Sequence, residues 1–479
     1  MSYRITVAYG DGIGPEIMEV VLNILEKSGW NFQKDIIELG EKIYKQGHLS
    51  GIKAEDRNLI RKNKIFLKAP ITTPQGTGFK SLNVKIRKSL GLFANIRPIR
   101  SLYPFIDTKF PNMDVVVIRE NEEDLYAGIE HRQTPEVFQC LKLISVPGCE
   151  KIIRYAFEYA QNMGRKKVTC MVKDNIMKLT DGTFKKMFED ISKEYPQIEK
   201  NHWIIDIGMA KFATNPEDFD IILLPNLYGD ILSDVSSQLA GSVGIGGSSN
   251  IGETHAMFEA IHGSAPRRAG QNLANPSGLL NAATLMLSHI GEQELSEKIQ
   301  NAWLKTIEEG IHTYDIYKKS LSKQKVSTSD FGKAVIENLG AEPKKITPTF
   351  ASKKNKKISI HLSYKSLSFQ KRVLEGVDIF IFENNRDPLL LAKKLKHIIQ
   401  ELDWNLLYIT NRGIKVYPDP LPETFCTDHW RCRFLFTSEN CQPSHIINLL
   451  EKINLGKLEV IKTENLYSFN GKTAYSQIT

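Results

Sequence analysis

The chain has 479 residues, 41% of them apolar and 25% charged, and a formal net charge of +8. That length suits two or three domains with an ample core, and the composition is that of an ordinary soluble globular protein. No apolar run is long enough to cross a bilayer, so no membrane partner is expected.

The surplus charge is local. Residues 344–479 carry 21 Lys and Arg against 13 Asp and Glu, while the preceding 343 residues carry 42 of each. A basic tail can attract an acidic partner. It carries no recognisable nucleic-acid motif, so nucleic acid is not expected and a Lys-rich solvated face is the simpler reading. The opening MSYRITVAYGDG has neither an apolar signal core nor an Arg-rich transit segment, which predicts a cytoplasmic protein. Six cysteines with no CxxC pair predict reduced, mostly buried thiols. Cys426, His429, Cys432 and Cys441 fit no usual zinc spacing.

In chain order, ITVAY (5–9) reads as a buried strand that ends in the Gly-rich turn GDGIGPE. PEIMEVVLNILEKSG then has helical periodicity, with Pro15 in the first turn and Gly29 at the stop. Strand-like runs follow at 64–70, 113–120, 166–173 and 219–225, and helical patterns at 148–163, 179–195 and 276–310. This alternation predicts an α/β architecture. EPKKITPTFASKKNKK mixes Pro, Ser, Thr and Lys without periodicity, and a linker is expected at 343–357. Beyond it, strands at 377–382, 406–410, 431–437 and 457–467 and helices at 387–402 and 444–453 give a β-α-β-β-α-β order. That is the ferredoxin-like arrangement, with NRG (411–413) turning into a short extra strand.

The chemistry concentrates in a few segments. SLNVKIR (81–87) gathers Ser81, Asn83 and Arg87, and Arg97 follows ten residues later. Guanidinium groups grip carboxylates by paired, charge-assisted hydrogen bonds, so this set suits a small polyanionic acid. A solvated amphipathic helix is the plain alternative. GDGIGP has GxGxG spacing instead of GxGxxG, with Pro15 directly after, which argues against a Rossmann fingerprint. Asp230 and Asp234 in NLYGDILSD lie at i, i+4, so on a helix both carboxylates can converge on one divalent cation. Asp206 in WIIDIG is a third candidate. Lys173, at the end of a strand-like run, and Tyr126, after the charged turn RENEEDLY that begins at Arg119, are plausible proton-transfer groups. HGSAPRRAGQNLANP (262–276) is a compact loop with adjacent Arg267 and Arg268, suited to a phosphate or adenine nucleotide.

Taken in order, GDGIGPE, SLNVKIRKSLGLFANIRP, RENEEDLYAGIE, KDNIMK, NLYGDILSD and FEAIHGSAP resemble the isocitrate and isopropylmalate dehydrogenase family over roughly residues 3–340. The resemblance implies a doubly wound α/β fold unlike Rossmann, with the added α+β ferredoxin-like C-terminal domain. It divides residues 1–342 into a large domain (about 1–100 and 252–342) and a small dimerisation domain (about 101–251), followed by a C-terminal domain at 358–479. Ser81 and Asn83 favour isocitrate, because isopropylmalate enzymes need an apolar surface there. The extension, with FENNRDP, YITNRGIKVYPDP and DHWRCRF, is similar to that of the long isocitrate dehydrogenases of the Thermus type.

The same resemblance implies roles. Ser81, Asn83, Arg87, Arg97, Arg119 and Asn175 bind isocitrate. Tyr126 protonates the enolate, and Lys173 of a neighbouring subunit assists deprotonation of the substrate hydroxyl. Asp206, Asp230 and Asp234 hold Mg²⁺ or Mn²⁺ in a homodimer with shared active sites. Thr72 lies near the nicotinamide, and His262, Gly263, Ser264, Ala265 and Asn275 near the adenosine half. NADP-using relatives carry Lys-Tyr after HGxAP and NAD-using relatives an acidic-apolar pair. Arg267-Arg268 here predicts NADP, with Tyr314 and Lys318 as a further contacting pair. Homoisocitrate and isopropylmalate dehydrogenases, and a non-catalytic regulatory subunit, are the competing readings.

Overall fold

A computed structural model describes residues 3–48, 51–72, 81–349, 358 and 370–477. The chain folds as two compact units. One comprises Met1–Ala127 and Lys142–Leu362, the other Gly128–Leu141 and Ser363–Thr479.

The first unit is built on a ten-stranded sheet. From one edge the strands run Phe32–Ile37, Tyr3–Ala8, Ile65–Lys68, Ala256–Ala260, Gly247–Ile251, Ala94–Arg100, Asp114–Glu120, Ile221–Leu224, Lys167–Val172 and Glu199–Ile204. Each wing is parallel, and the centre, through Gly247–Ile251, Ala94–Arg100 and Asp114–Glu120, is antiparallel. Helices cover the sheet. Gly14–Lys27 buries Ile17, Met18, Val21, Leu22 and Leu25, each side chain adding roughly 1.5–3 kcal/mol of burial. The periodic stretch 276–310 is two helices, Ser277–Ile290 and Gln293–Glu308. Gly291 at φ +95° ends the first in a left-handed cap.

The strands Ala94–Arg100 and Gly247–Ile251 lack an apolar signature because Asn95, Arg97 and Asn250 are buried in them, and the otherwise apolar Ala256–Ala260 buries Glu259. Those polar positions supply the site described below.

The linker expected at 343–357 is described only as far as Thr349. There it is pinned to the helix Gln293–Glu308. The Glu308 carboxylate accepts the N–H groups of Lys344 (3.1 Å), Lys345 and Ile346 (3.0 Å). Asn301 exchanges two bonds with the Thr349 backbone.

In the second unit the strand order is Ile414–Tyr417, Trp404–Asn411, His429–Phe436, Arg372–Phe382, Glu459–Phe469 and Lys472–Thr473, all antiparallel. With the helices Pro388–Ile398 and Pro443–Leu455 this is the ferredoxin-like arrangement. Its core includes Trp430, Phe434, Leu395 and Leu449, together with Cys426, Cys432 and Cys441 as free thiols. A hairpin of Glu130–Arg132 and Phe138–Cys140 belongs to this unit. Its turn residue Thr134 donates to Asp428 at 2.6 Å, Glu136 pairs with Arg386, and Glu136 also accepts the Asp428 N–H at 3.1 Å.

Candidate active site

Asn95 and Arg97 share a face of their strand, and Asn95 stands opposite Arg119 on the next. The helix Asn226–Leu239 crosses this face and brings Asp230, Ser233 and Asp234 onto the two guanidiniums. Gly229 permits the approach, because a Cβ there would fall 2.6 Å from Arg119 Cγ. Arg119 pairs with Asp230 through Nη1 and donates to Asn226 Oδ1 from Nε (3.0 Å) and Nη2 (2.7 Å). Arg97 reaches Asp230 and Asp234 at 3.4 Å each, Ser233 Oγ, and Asn95 Oδ1 at 2.7 Å. The Tyr126 hydroxyl donates to Asp230 Oδ2 at 2.6 Å, and the Arg119 guanidinium lies 5.0 Å from its ring centre.

The electrostatics follow from burial and crowding. Burial, then the nearby Arg97 and Arg87 charges, bring Arg119 down to about 10. Burial also pulls Arg97 down. For Asp230, burial pushes upward but Arg119 and Arg97 outweigh it, so the carboxyl sits below its usual range. Asp234 goes the other way, raised chiefly by burial. Burial, then the hydrogen bond to Asp230, raises Tyr126, which keeps its phenol protonated.

Beside this cluster the buried Glu259 joins two cations, Lys68 Nζ at 2.8 Å and Arg87 Nη2 at 2.7 Å. Burial opposes ionisation of Glu259, and the two cations overcome it and depress its pKa. Asn250 bridges Glu259 (3.0 Å) to Asn95 (2.8 Å). Arg87 Nε and Asn83 Oδ1 are buried and without a hydrogen-bond partner among the described residues. Leaving a buried polar group unsatisfied costs about 1–3 kcal/mol. A donor and an acceptor in this condition, on the helix Leu82–Ser89 with Ser81 as its N-cap, are the mark of a ligand site.

The GDGIGP turn packs against the two segments expected to hold a dinucleotide. Asp11 Oδ2 accepts the Thr72 N–H at 2.8 Å, Thr72 Oγ1 meets Ser264 Oγ at 2.7 Å, and Ile13 N–H donates to Ser264 O at 2.9 Å. Gly12, at φ +62°, has no room for a Cβ, which would fall 2.0 Å from Ser264 O. His262 is held low by burial, and its Nε2 has no partner among the described residues. Gly263 is exposed and Ala265 is left-handed at φ +39°. Asn275 donates to Asp315 at 3.0 Å. Arg268 lies 4.5 Å from the Tyr314 ring centre, Lys318 pairs with Asp107, and exposed Arg267 has no ion-pair partner among the described residues.

Lys173 and Asp206 sit together, at 2.7 Å, off the ends of neighbouring parallel strands. Lys173 chiefly lowers Asp206. Among the described residues no hydrogen bond or ion pair joins this pair, or exposed Asn175, to the Asp230 cluster. Ile176, Leu179, Ile207 and Ile231 are exposed close by in sequence. Asp230 and Asp234 offer hard oxygen donors that suit Mg²⁺ or Mn²⁺. Among the described residues of one chain no third acidic, His or Cys side chain joins them.

Sequence reasoning missed Lys68, Asn95, Asn226, Ser233, Asn250 and Glu259. A signal existed: a Lys inside KIFLKAP and a Glu inside AMFEA are charges in apolar strand runs, which persist only when paired.

Comparisons with known proteins agree on one lineage. The family model for isocitrate/isopropylmalate dehydrogenase matches residues 4–335, and that for the bacterial isocitrate dehydrogenase C-terminal domain matches residues 372–479. The chain is 51% identical over 477 residues to a Rickettsia bellii protein named isocitrate dehydrogenase [NADP], covering 98% of each. It is 41% identical to a Thermus thermophilus protein of the same name, covering 99% of this chain and 95% of the relative. A crystal structure of a Thermus thermophilus protein superposes with a TM-score of 0.90 at 40% identity, covering 99% of this chain and 95% of that one. With the buried arginines, the paired aspartates and the non-Rossmann sheet all in place, the chain belongs to the isocitrate/isopropylmalate dehydrogenase family.

Proposed function

We propose that this chain catalyses the NADP-dependent oxidative decarboxylation of isocitrate to 2-oxoglutarate, a step of the tricarboxylic acid cycle, as a cytoplasmic homodimer with shared active sites. The observation that carries the reading is the convergence of Arg97 and Arg119 on a helix face bearing Asp230 and Asp234, with Tyr126 beside them and the Arg87 charge close enough to act on Asp230. The arginines take the substrate carboxylates, and Ser81 and Asn83 orient the molecule. The orphaned Arg87 Nε and Asn83 Oδ1 give the substrate a donor and an acceptor to fill.

A divalent cation on Asp230, Asp234 and the partner subunit's Asp206 would supply Lewis-acid polarisation of the 2-hydroxyl and of the ketone formed from it. The partner subunit's Lys173 would assist deprotonation of the substrate hydroxyl, and NADP, when bound, would take the hydride. The product, a 2-keto acid with a carboxylate β to the ketone, loses carbon dioxide, and neutral Tyr126 protonates the resulting enolate. The exposed apolar residues around Lys173 and Asp206 support burial of that pair against a second copy. Arg267, Arg268, Tyr314 and Lys318 form a cationic rim suited to the NADP 2′-phosphate.

The test is initial rates with Mn²⁺, isocitrate and each nicotinamide, with isopropylmalate and homoisocitrate as controls. Isocitrate turnover preferring NADP is expected. A preference for another acid overturns the substrate, and binding without turnover points to a regulatory subunit.

A further inference from the structure

Lys142 has no part in the mechanism above, yet it lies at a junction of everything the mechanism moves. Its ammonium meets Asp124 Oδ1 at 3.0 Å and Asp181 Oδ1 at 2.9 Å, and both aspartates are fully buried. Lys142 is thus the cation that both carboxylates share. The ring of Tyr228 closes over it, 4.7 Å from the ammonium. Each aspartate turns its second oxygen to a backbone N–H. Asp181 Oδ2 accepts from Lys173 at 2.7 Å, and Asp124 Oδ2 accepts from Leu227 at 2.9 Å.

Leu227 lies in the first turn of the helix that carries Asp230 and Asp234, and that helix has no side-chain bond from its N-cap Pro225. A carboxylate there satisfies an orphan N–H and matches the helix dipole. Asp124 is itself left-handed at φ +64°, and its carbonyl accepts the Ala127 N–H at 3.1 Å across the turn that carries Tyr126.

We infer that Lys142 is a positioning residue that sets two proton-transfer groups at once, Tyr126 through Asp124 and Lys173 through Asp181. This rests on the proposed reaction. If sites are shared as proposed, Tyr126 serves its own subunit's site and Lys173 the partner's, so one ammonium tunes a group in each of two sites.

The experiment separates the half-reactions by supplying the 2-keto tricarboxylic acid directly to the full chain. Its decarboxylation reads Tyr126, and its reduction by NADPH reads Lys173. Lys142→Met is expected to slow both about 10-fold or more while the isocitrate KM changes less than 3-fold. Asp181→Asn is expected to slow reduction more than decarboxylation, and Asp124→Asn the reverse. These variants keep the test open if Lys142→Met folds poorly. Loss of only one half-reaction in Lys142→Met, equal losses in the two aspartate variants, or unchanged rates would overturn the inference. Amide hydrogen exchange provides a readout independent of activity: Lys173 and Leu227 should both exchange faster in Lys142→Met, and unchanged protection at either refutes the linkage. A wild-type chain that turns over no isocitrate defeats the functional reading, and the exchange data still decide the role of Lys142.

Discussion

Each unit buries one carboxylate between two cations, and the two arrangements differ in what is left over. In the C-terminal sheet Asp378 takes Arg431 through one oxygen at 2.7 Å and a two-pronged grip from Arg433, both bonds 2.7 Å. The remaining Arg433 Nη1 donates to Ser476 O at 2.7 Å, and the rings of Tyr408 and Tyr475 flank the guanidinium at 5.0 and 4.7 Å. That arginine is saturated. Around Glu259, Arg87 keeps an Nε without a partner among the described residues, and Arg97 and Arg119 crowd in as further positive charge. Four buried cations there face Glu259, Asp230 and Asp234. A closed arrangement holds a fold together, whereas a surplus of directed donors waits for an anion.

The strongest way to break this contrast is to remove one arginine of each kind. Arg119→Met is expected to lower kcat/KM for isocitrate by about 10³-fold or more, roughly 4 kcal/mol of transition-state binding, with little change in melting temperature because it relieves like-charge crowding. Arg433→Met is expected to destabilise its unit by about 3–5 kcal/mol, because buried Asp378 loses its two-pronged partner and keeps only Arg431. Reciprocal results, with Arg119→Met melting earlier than Arg433→Met, would refute the distinction.

The cofactor rim offers a milder version. Arg267 has no ion-pair partner among the described residues, and Arg268 only stacks on Tyr314, whereas Lys318 is already paired with Asp107. Replacing both arginines by Ala should cut the NADP-over-NAD ratio of kcat/KM by about 10–100-fold, about 1.4–2.8 kcal/mol for the two lost phosphate contacts together. Lys318→Ala should change it less. Equal effects would mean that an existing partner does not weaken a contact.

The smallest effect is expected at Glu120, a buried carboxyl that burial raises to about 8. Its neutral form is favoured in the folded chain, so its contribution is intact below the unfolded pKa and is lost as pH rises toward 8. Glu120→Gln should therefore flatten the fall in melting temperature between about pH 5 and 8. The hydrogen bonds to Glu122 and Glu123 N–H need only an acceptor, which Gln retains. An unaltered pH slope would show that the buried carboxyl is already charged at low pH.

Much of this was legible in the chain before its structure. Asp230 and Asp234 announce a shared helix face by spacing alone, and the ferredoxin-like order at the C-terminus shows because its strands are mostly apolar. The central strands did not show, since the site fills Ala94–Arg100 and Gly247–Ile251 with buried polar side chains that erase the strand pattern. Lys173 and Asp206 lie 33 residues apart in sequence, and only the parallel register of two strands brings them to 2.7 Å. The hairpin at 130–140 was silent for a related reason, because Thr134 finds its partner Asp428 294 residues away.

That hairpin alters how the C-terminal unit is attached. The chain passes between the units three times, after Ala127, after Leu141 and after Leu362. The unit is thus a mosaic of an inserted loop and a tail, and its smaller piece lies inside the stretch matched by the dehydrogenase family model. Truncating at the linker would not remove a module cleanly, because it orphans fourteen residues whose partners, Asp428 and Arg386, go with the tail. A protease cutting only at the linker would likewise leave the tail gripped through Glu136 and Thr134, so a nicked chain should migrate whole until it is denatured.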